Sequence, residues 1–298
     1  MIKRADMRIR DPYIVPYKGV YYAYKTVADM SLVYFKSTDL ENWEEGGTVF
    51  SITEDSWATR DLWASEIHEY KSKFYLFTSS LGRNGLRGTQ VSVSETPEGP
   101  FIPLKNGPLT PEGQSCIDGT LYVDDSGVPY IVYSHDWPDN YVKEKSAYVG
   151  EICAAQVDED LVNIVGEPFR LFASDESPIS YKTPHNIIYK DEKTKRYGSD
   201  GPWIEKLSTG GLFLTWSPYL ENNYVVLPVI SESGDIHGPW KHLDEPFFAD
   251  NGGHAMFFRD FDGSLKMALH APEAPPMERM HIFNIEEKDG TLAITKEV

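Results

Sequence analysis

Five short segments open on an acidic residue or a histidine and run directly into a strand-and-turn pattern. They are Asp11-Pro12-Tyr13-Ile14, Glu66-Ile67-His68-Glu69-Tyr70, Asp118-Gly119-Thr120-Leu121-Tyr122, Asp200-Gly201-Pro202-Trp203-Ile204 and His254-Ala255-Met256-Phe257-Phe258. Close carboxyl groups raise one another's proton affinity, so one can stay protonated as an acid while another stays ionised as a base. Two carboxyl groups flanking a substrate are the basic equipment of glycoside hydrolysis. Taken singly, each Asp is better explained as the cap of a turn. Three of them, Asp11, Asp118 and Asp200, at the same place in repeated units point instead to convergence on one site.

The elements that must position them are strands. Aromatic or β-branched residues alternate with polar ones, and Gly, Asn, Asp and Pro turns break the runs. The first unit reads Tyr13-Ile14-Val15, the turn Lys18-Gly19, Val20-Tyr21-Tyr22-Ala23-Tyr24, and then Leu32-Val33-Tyr34-Phe35-Lys36. The same grammar follows each of the other four lead residues. Propeller blades run to about 40–50 residues, so five units with longer loops fit a chain of 298 residues. The expected fold is therefore all-β: a five-bladed β-propeller over residues 1–298 as one domain, with one four-stranded antiparallel sheet per blade. Radial closure leaves only short sheet edges. A sandwich or jelly roll would need the order, spacing and turn chemistry to coincide by chance. The interval from 118 to 200 is the longest, and its segment 174–197, with Tyr181, Pro184 and His185, is expected to be a polar lid or specificity loop.

Composition narrows the partners. Lys plus Arg number 28 and Asp plus Glu 46, for a net charge of −18. That charge repels phosphate backbones and anionic lipid, so nucleic acid and membrane surfaces are not expected partners. The 18 Tyr, 14 Phe and 7 Trp suit strands, and they also suit surfaces that stack on the C–H faces of sugar rings. Cys116 and Cys153 lack metal-ligand spacing and are expected to be free thiols. The few residues before Asp11 leave no room for a signal peptide, so the chain as given is expected to be cytoplasmic, or secreted or periplasmic if a leader was trimmed.

The ordered segments Arg10-Asp11-Pro12-Tyr13-Ile14, Trp63-Ala64-Ser65-Glu66, Cys116-Ile117-Asp118-Gly119, Asp200-Gly201-Pro202 and Gly252-Gly253-His254 resemble the motif series of glycoside hydrolase family 43. The resemblance spans essentially the whole chain. It implies a five-bladed propeller that removes terminal arabinofuranosyl or xylosyl residues with inversion. By resemblance, Asp11 corresponds to the general base, Asp118 to the residue that orients and tunes the acid, and Asp200 to the general acid. His254 corresponds to the axial histidine that in some members binds a calcium or sodium ion. No other cofactor is implied, and the implied partner is a carbohydrate, with the chain a monomer or small homo-oligomer.

Two departures stand out. The family usually carries Glu-Gly-Pro where this chain has Asp200-Gly201-Pro202. One methylene less draws a carboxyl back by roughly 1–1.5 Å, and a misplacement on that scale can cost on the order of 10²-fold in rate. Asp200 is then the acid of a site narrowed to suit it, or Glu66 assists or replaces it, or the protein chiefly binds sugar. Glu66 stands where the family has Asp, which suggests that Glu66 and Asp200 are spatially coupled. Expected substrate contacts are Glu66, Trp63, His254, His185 and Trp216. His135, Arg259 and His270 are weaker candidates, as are Trp137 and Trp203. A galactofuranosidase, an anhydrosugar hydrolase, a fructan-type hydrolase and a non-catalytic sugar-binding propeller are the alternatives.

Overall fold

The computed structural model describes residues 1–190 and 192–298. Among the described residues the chain forms seven sheets. Five of these contain the lead segments, and each runs in simple antiparallel order outward from its lead strand. The lead strands are Ile14–Tyr17, Ala58–Tyr70, Cys116–Val123, Asp200–Lys206 and Gly253–Arg259. The first sheet gains a fifth strand, Ile2–Lys3, on its outer edge, where Ile2 pairs with Trp43.

The count of seven exceeds the expected five in part because segment 174–197, expected to be a loop, carries strands. That segment folds into a short helix, Pro178–Lys182, and the strands His185–Tyr189 and Glu192–Tyr197. With Tyr141–Val142 and Ala147–Val149 these strands form a further four-stranded sheet. The seventh sheet is a two-stranded ribbon, Tyr219–Leu220 with Asn223–Tyr224, inserted into the fourth unit.

Apolar packing links the five main sheets in a cycle. One core cluster joins the first sheet to both the second and the fifth, through residues such as Ile14, Leu76 and Met256. Others fill the second–third, third–fourth and fourth–fifth interfaces, with Phe77 against Tyr133, Ile152 against Leu214, and Phe213 against Phe257. The strand Leu212–Ser217 shows how. It is buried on both faces, and its alternation sends Leu212, Leu214 and Trp216 to the third sheet and Phe213 to the fifth. Burying a large apolar side chain in this way contributes about 1.5–3 kcal/mol. Trp216, expected to contact substrate, is fully buried because it shares the inward parity of Leu212 and Leu214. Cys116 and Cys153 are buried and free, as expected. Among the described residues no helix is long and apolar enough to cross a membrane.

Candidate active site

One local device builds the site. In four of the lead strands the pairing with the second strand slips by one residue at the same place. The slips lie between Trp63 and Glu66, Ile117 and Thr120, Asp200 and Trp203, and Gly253 and Met256. Each is a one-residue bulge, which bends the strand and re-aims a side chain. The residue after the first of each pair has positive φ: Ala64 (44°), Asp118 (55°), Gly201 (54°) and His254 (56°). Asp11, at 46°, is the counterpart in the first unit. Asp and His tolerate this left-handed region better than most residues, and Gly occupies it without strain.

This places the lead residues differently from the motif reading. The second unit presents Ala64 at the bulge, and Glu66 lies two residues further along. Glu66 is buried there, bonded to His68 Nε2 at 2.8 Å, in a layer where Tyr13, Thr120 and Trp203 also approach His68. It is absent from the cavity wall, and the partner of its carboxyl is His68 rather than Asp200. Asp200 sits one residue before Gly201, at the position held elsewhere by Trp63 and Ile117.

The bulges line a cavity of about 530 Å³ whose wall includes Asp11, Trp63, Asp118, Asp200, Tyr224 and His254. Each lead segment is pinned to the preceding unit by a polar link. The N–H groups of Asp118 and His254 donate to Ser79 Oγ (2.7 Å) and Ser217 Oγ (2.8 Å). Ser134 and Ser199 hydroxyls bond at 2.7 Å, and Thr26 Oγ1 donates to the Leu62 carbonyl. The N–H of Asp11 donates to His270 Nδ1 at 3.2 Å, which joins the fifth sheet to the first.

Electrostatics separate the three carboxyl groups. Burial alone would raise Asp11, but the charges of His254 (3.4 Å) and Arg10 (3.6 Å), together with His270 (3.1 Å), hold it well below the ordinary carboxylate range. Its Oδ1 is buried between the two imidazoles, 3.4 Å from His254 Nδ1 and 3.1 Å from His270 Nδ1. Asp118 is pushed up to about 7 by burial and by Asp200 and Asp11, against His254, while its Oδ2 accepts the N–H of Gly201 at 2.9 Å. Asp200 is also raised, chiefly by burial, with Arg196, His254 and Arg10 opposing.

Several neighbours escaped the sequence reading. Tyr224, on the inserted ribbon, donates to Asp200 Oδ2 at 3.4 Å. Tyr219 donates to Glu273, which receives Arg10 and His270 at 2.7 and 2.6 Å. Asp136 is buried beside Asp118 and Asp200 and rises to about 7, by burial first and then by their charges. The Asn-rich turn Glu221-Asn222-Asn223 was the available signal for the ribbon. The ring of Trp63 is 38 % exposed at the wall, under the Arg87 guanidinium at 3.7 Å. His185 lies in the additional sheet, stacked on Tyr219 outside the cavity. His135 pairs with Asp139 and Glu151, and Arg259 with Glu205, both away from the cavity wall.

A family model described as Glycosyl hydrolases family 43 matches residues 5–291. The chain belongs to that family. Its fold superposes on the endo-arabinase of Bacteroides thetaiotaomicron with a TM-score of 0.87 and 34 % identity, covering 98 % of this chain and 99 % of that one. Over 91 residues, 30 % of this chain, it is 32 % identical to xylosidase/arabinosidase 43A of Humicola insolens and to a beta-xylosidase of Xylanibacter ruminicola. Those matches span 27 % and 28 % of the two relatives, so less than a third of their length.

The ion implied at His254 can be tested on the residues present. Nε2 of His254 is buried without a hydrogen-bond partner, but no group of three or more His, Cys, Asp or Glu is set to hold a metal among the described residues. One imidazole nitrogen does not make a protein-held cation site, and no step below uses an ion. The close fit around His254 does have a consequence. A Cβ on Gly201 would lie 2.9 Å from its Cγ, at a positive φ. Gly201→Ala is expected to destabilise the fold by about 1–3 kcal/mol, read as a lower urea midpoint. An unchanged midpoint would mean that the bulge relaxes freely.

Proposed function

We propose that this chain releases a terminal α-L-arabinofuranosyl or β-xylosyl residue by single displacement with inversion. The observation that carries the reading is the opposed proton affinity of Asp11 and Asp200 in one cavity. Ionised Asp11 takes a proton from water as the water oxygen attacks the anomeric carbon. Protonated Asp200 gives its proton to the departing glycosidic oxygen as that C–O bond breaks. Asp118 is a positioning residue: its Oδ2 accepts the Gly201 N–H and so holds the bulge that carries Asp200. Asp11 leaves the cycle protonated and Asp200 ionised, and exchange with solvent resets both. In the same reading five of the seven sheets are the blades of one propeller domain over residues 1–298, and the other two are insertions.

The 34 % identity to a protein named endo-arabinase favours a second reading, internal cleavage of an arabinan. One experiment serves both. Proton NMR of fresh digests of arabinotriose, xylotriose and the nitrophenyl glycosides of arabinofuranose and xylose should show the inverted anomer of a monosaccharide first. The retained anomer would overturn the single displacement. A mixture of longer oligosaccharides from polymeric arabinan would favour the internal mode.

A further inference from the structure

Of the additional sheet between the third and fourth units, only Arg196, whose charge opposes the rise of Asp200, enters the chemistry above. Tyr141, Tyr148, Arg196 and His185 lie opposite one another across its four strands, in one transverse row. Residues in such a row present their side chains on the same face. Aromatic rings extend that face. Trp137 and Tyr189 have centroids 4.9 Å apart, Tyr148 and Tyr189 5.0 Å, and Tyr141 and Tyr148 4.9 Å. Tyr141 is 51 % exposed, and Trp137, Tyr148 and Tyr189 are half-buried.

This face adjoins the catalytic cavity. The Arg196 guanidinium lies 5.0 Å from the Trp137 ring and 4.6 Å from that of Tyr219, on which His185 stacks. Tyr219 in turn bonds Glu273, the partner of Arg10 and His270 beside Asp11. A Cβ on Gly198 would lie 3.9 Å from Arg196 Nε and 4.0 Å from Asp200 Oδ1. Arg196 and Asp200 therefore flank one residue that has no side chain. Two polar atoms of the row, Arg196 Nε and His185 Nδ1, are buried with no hydrogen-bond partner among the described residues. Buried polar atoms are ordinarily paired, so each such exception calls for an explanation.

We propose that the inserted sheet binds the neutral sugar on the leaving-group side of the scissile bond. That ring packs a C–H face on the Tyr141–Tyr148–Tyr189 aromatic surface, and its hydroxyls pair with the Arg196 guanidinium. The assignment of sides rests on Asp200 as the proton donor, because the group beyond the donor is the one that departs. An aromatic surface with hydroxyl-binding nitrogens suits an uncharged saccharide. The same site would make a glycosidic substrate of two or more sugars better than one with a minimal leaving group.

The test measures binding apart from turnover. Xylobiose, arabinobiose, xylose and arabinose are titrated by calorimetry into the Asp11→Asn chain, alone and combined with Trp137→Ala or with Gly198→Leu. The Leu variant keeps every ring and fills the gap between Arg196 and Asp200. One of the disaccharides should bind about tenfold more tightly than its monosaccharide. Each added substitution should bring that ratio to near one. Equal affinity for one and two rings, binding of none of these sugars, or a ratio that survives both variants would overturn the site. If the second ring contributes as expected and wild type hydrolyses neither disaccharide, the roles of Asp11 and Asp200 fail while the sugar site stands.

Discussion

Replacing Asp11 by Asn should lower kcat by about 10²–10⁴-fold on every substrate, including those with the best leaving groups. The reason is local. Asp11 is the carboxyl on the cavity wall that the positive groups His254 and Arg10, with His270, keep ionised despite burial. Asn preserves shape and removes basicity. Truncating one member of a buried ion pair can cost about 3–5 kcal/mol, but two features limit the damage here. Arg10 retains both oxygens of Glu273 at 2.7 Å, and His254 can lose its proton. The variant should therefore stay folded, as circular dichroism and a urea titration would check. A folded Asp11→Asn chain within tenfold of the wild-type kcat would remove Asp11 from the base role. The pH profile carries the same sign. A base must be ionised to act, and Asp11 lies below the ordinary carboxylate range. The acid limb of kcat/KM should accordingly fall below about pH 4.

What could be read from the chain, and what could not, divides by distance in sequence. Asp11, Asp118 and His254 were legible because each opens a strand, tolerates positive φ and recurs once per unit. Glu66 was misplaced by two residues. The bulge at Trp63 and Ala64 is a property of pairing with Ser79 and Phe77, and nothing in Trp63-Ala64-Ser65-Glu66 alone announces it. A slip of that size moves a side chain from the cavity wall to the buried layer below. Trp216 was legible in principle: its parity with Leu212 and Leu214 predicts the core, and its nearness to a lead motif was the weaker argument. The segment 174–197 looked like a loop because its second strand, Glu192–Tyr197, is rich in Lys, Arg and Thr. Its order comes from parallel pairing with Ala147–Val149, a long-range contact that local propensity does not register. Tyr219, Tyr224, Glu273 and Asp136 act through partners tens of residues or more away, so their roles exist only in the folded chain.

Asp200 is where two substitutions should give opposite patterns. Asp200→Asn removes the proton donor. On xylobiose or arabinobiose, whose leaving oxygen needs that proton, kcat should fall by about 10²–10⁴-fold. On the corresponding glycosyl fluoride, which departs with little help, the fall should be much smaller. Asp11→Asn should show no such contrast. An acid acts only while protonated, and burial raises Asp200 while Asp118 beside it is pushed up to about 7. Activity should thus be lost as pH rises towards neutrality, with an apparent midpoint that belongs to the interacting carboxyls jointly. Asp200→Asn should abolish that alkaline limb, and a limb that survives would assign it elsewhere, with Asp136 the next candidate at about 7. Asp200→Glu tests the length of the acid. Tyr224 Oη fixes Asp200 Oδ2 at 3.4 Å, and the carboxyl issues from the bulge beside Gly201. One more methylene would carry it roughly 1–1.5 Å past that anchor, and the expected result is a fall on the order of 10²-fold. A rise would mean that the shorter side chain is a handicap that this cavity has not been shaped to accommodate.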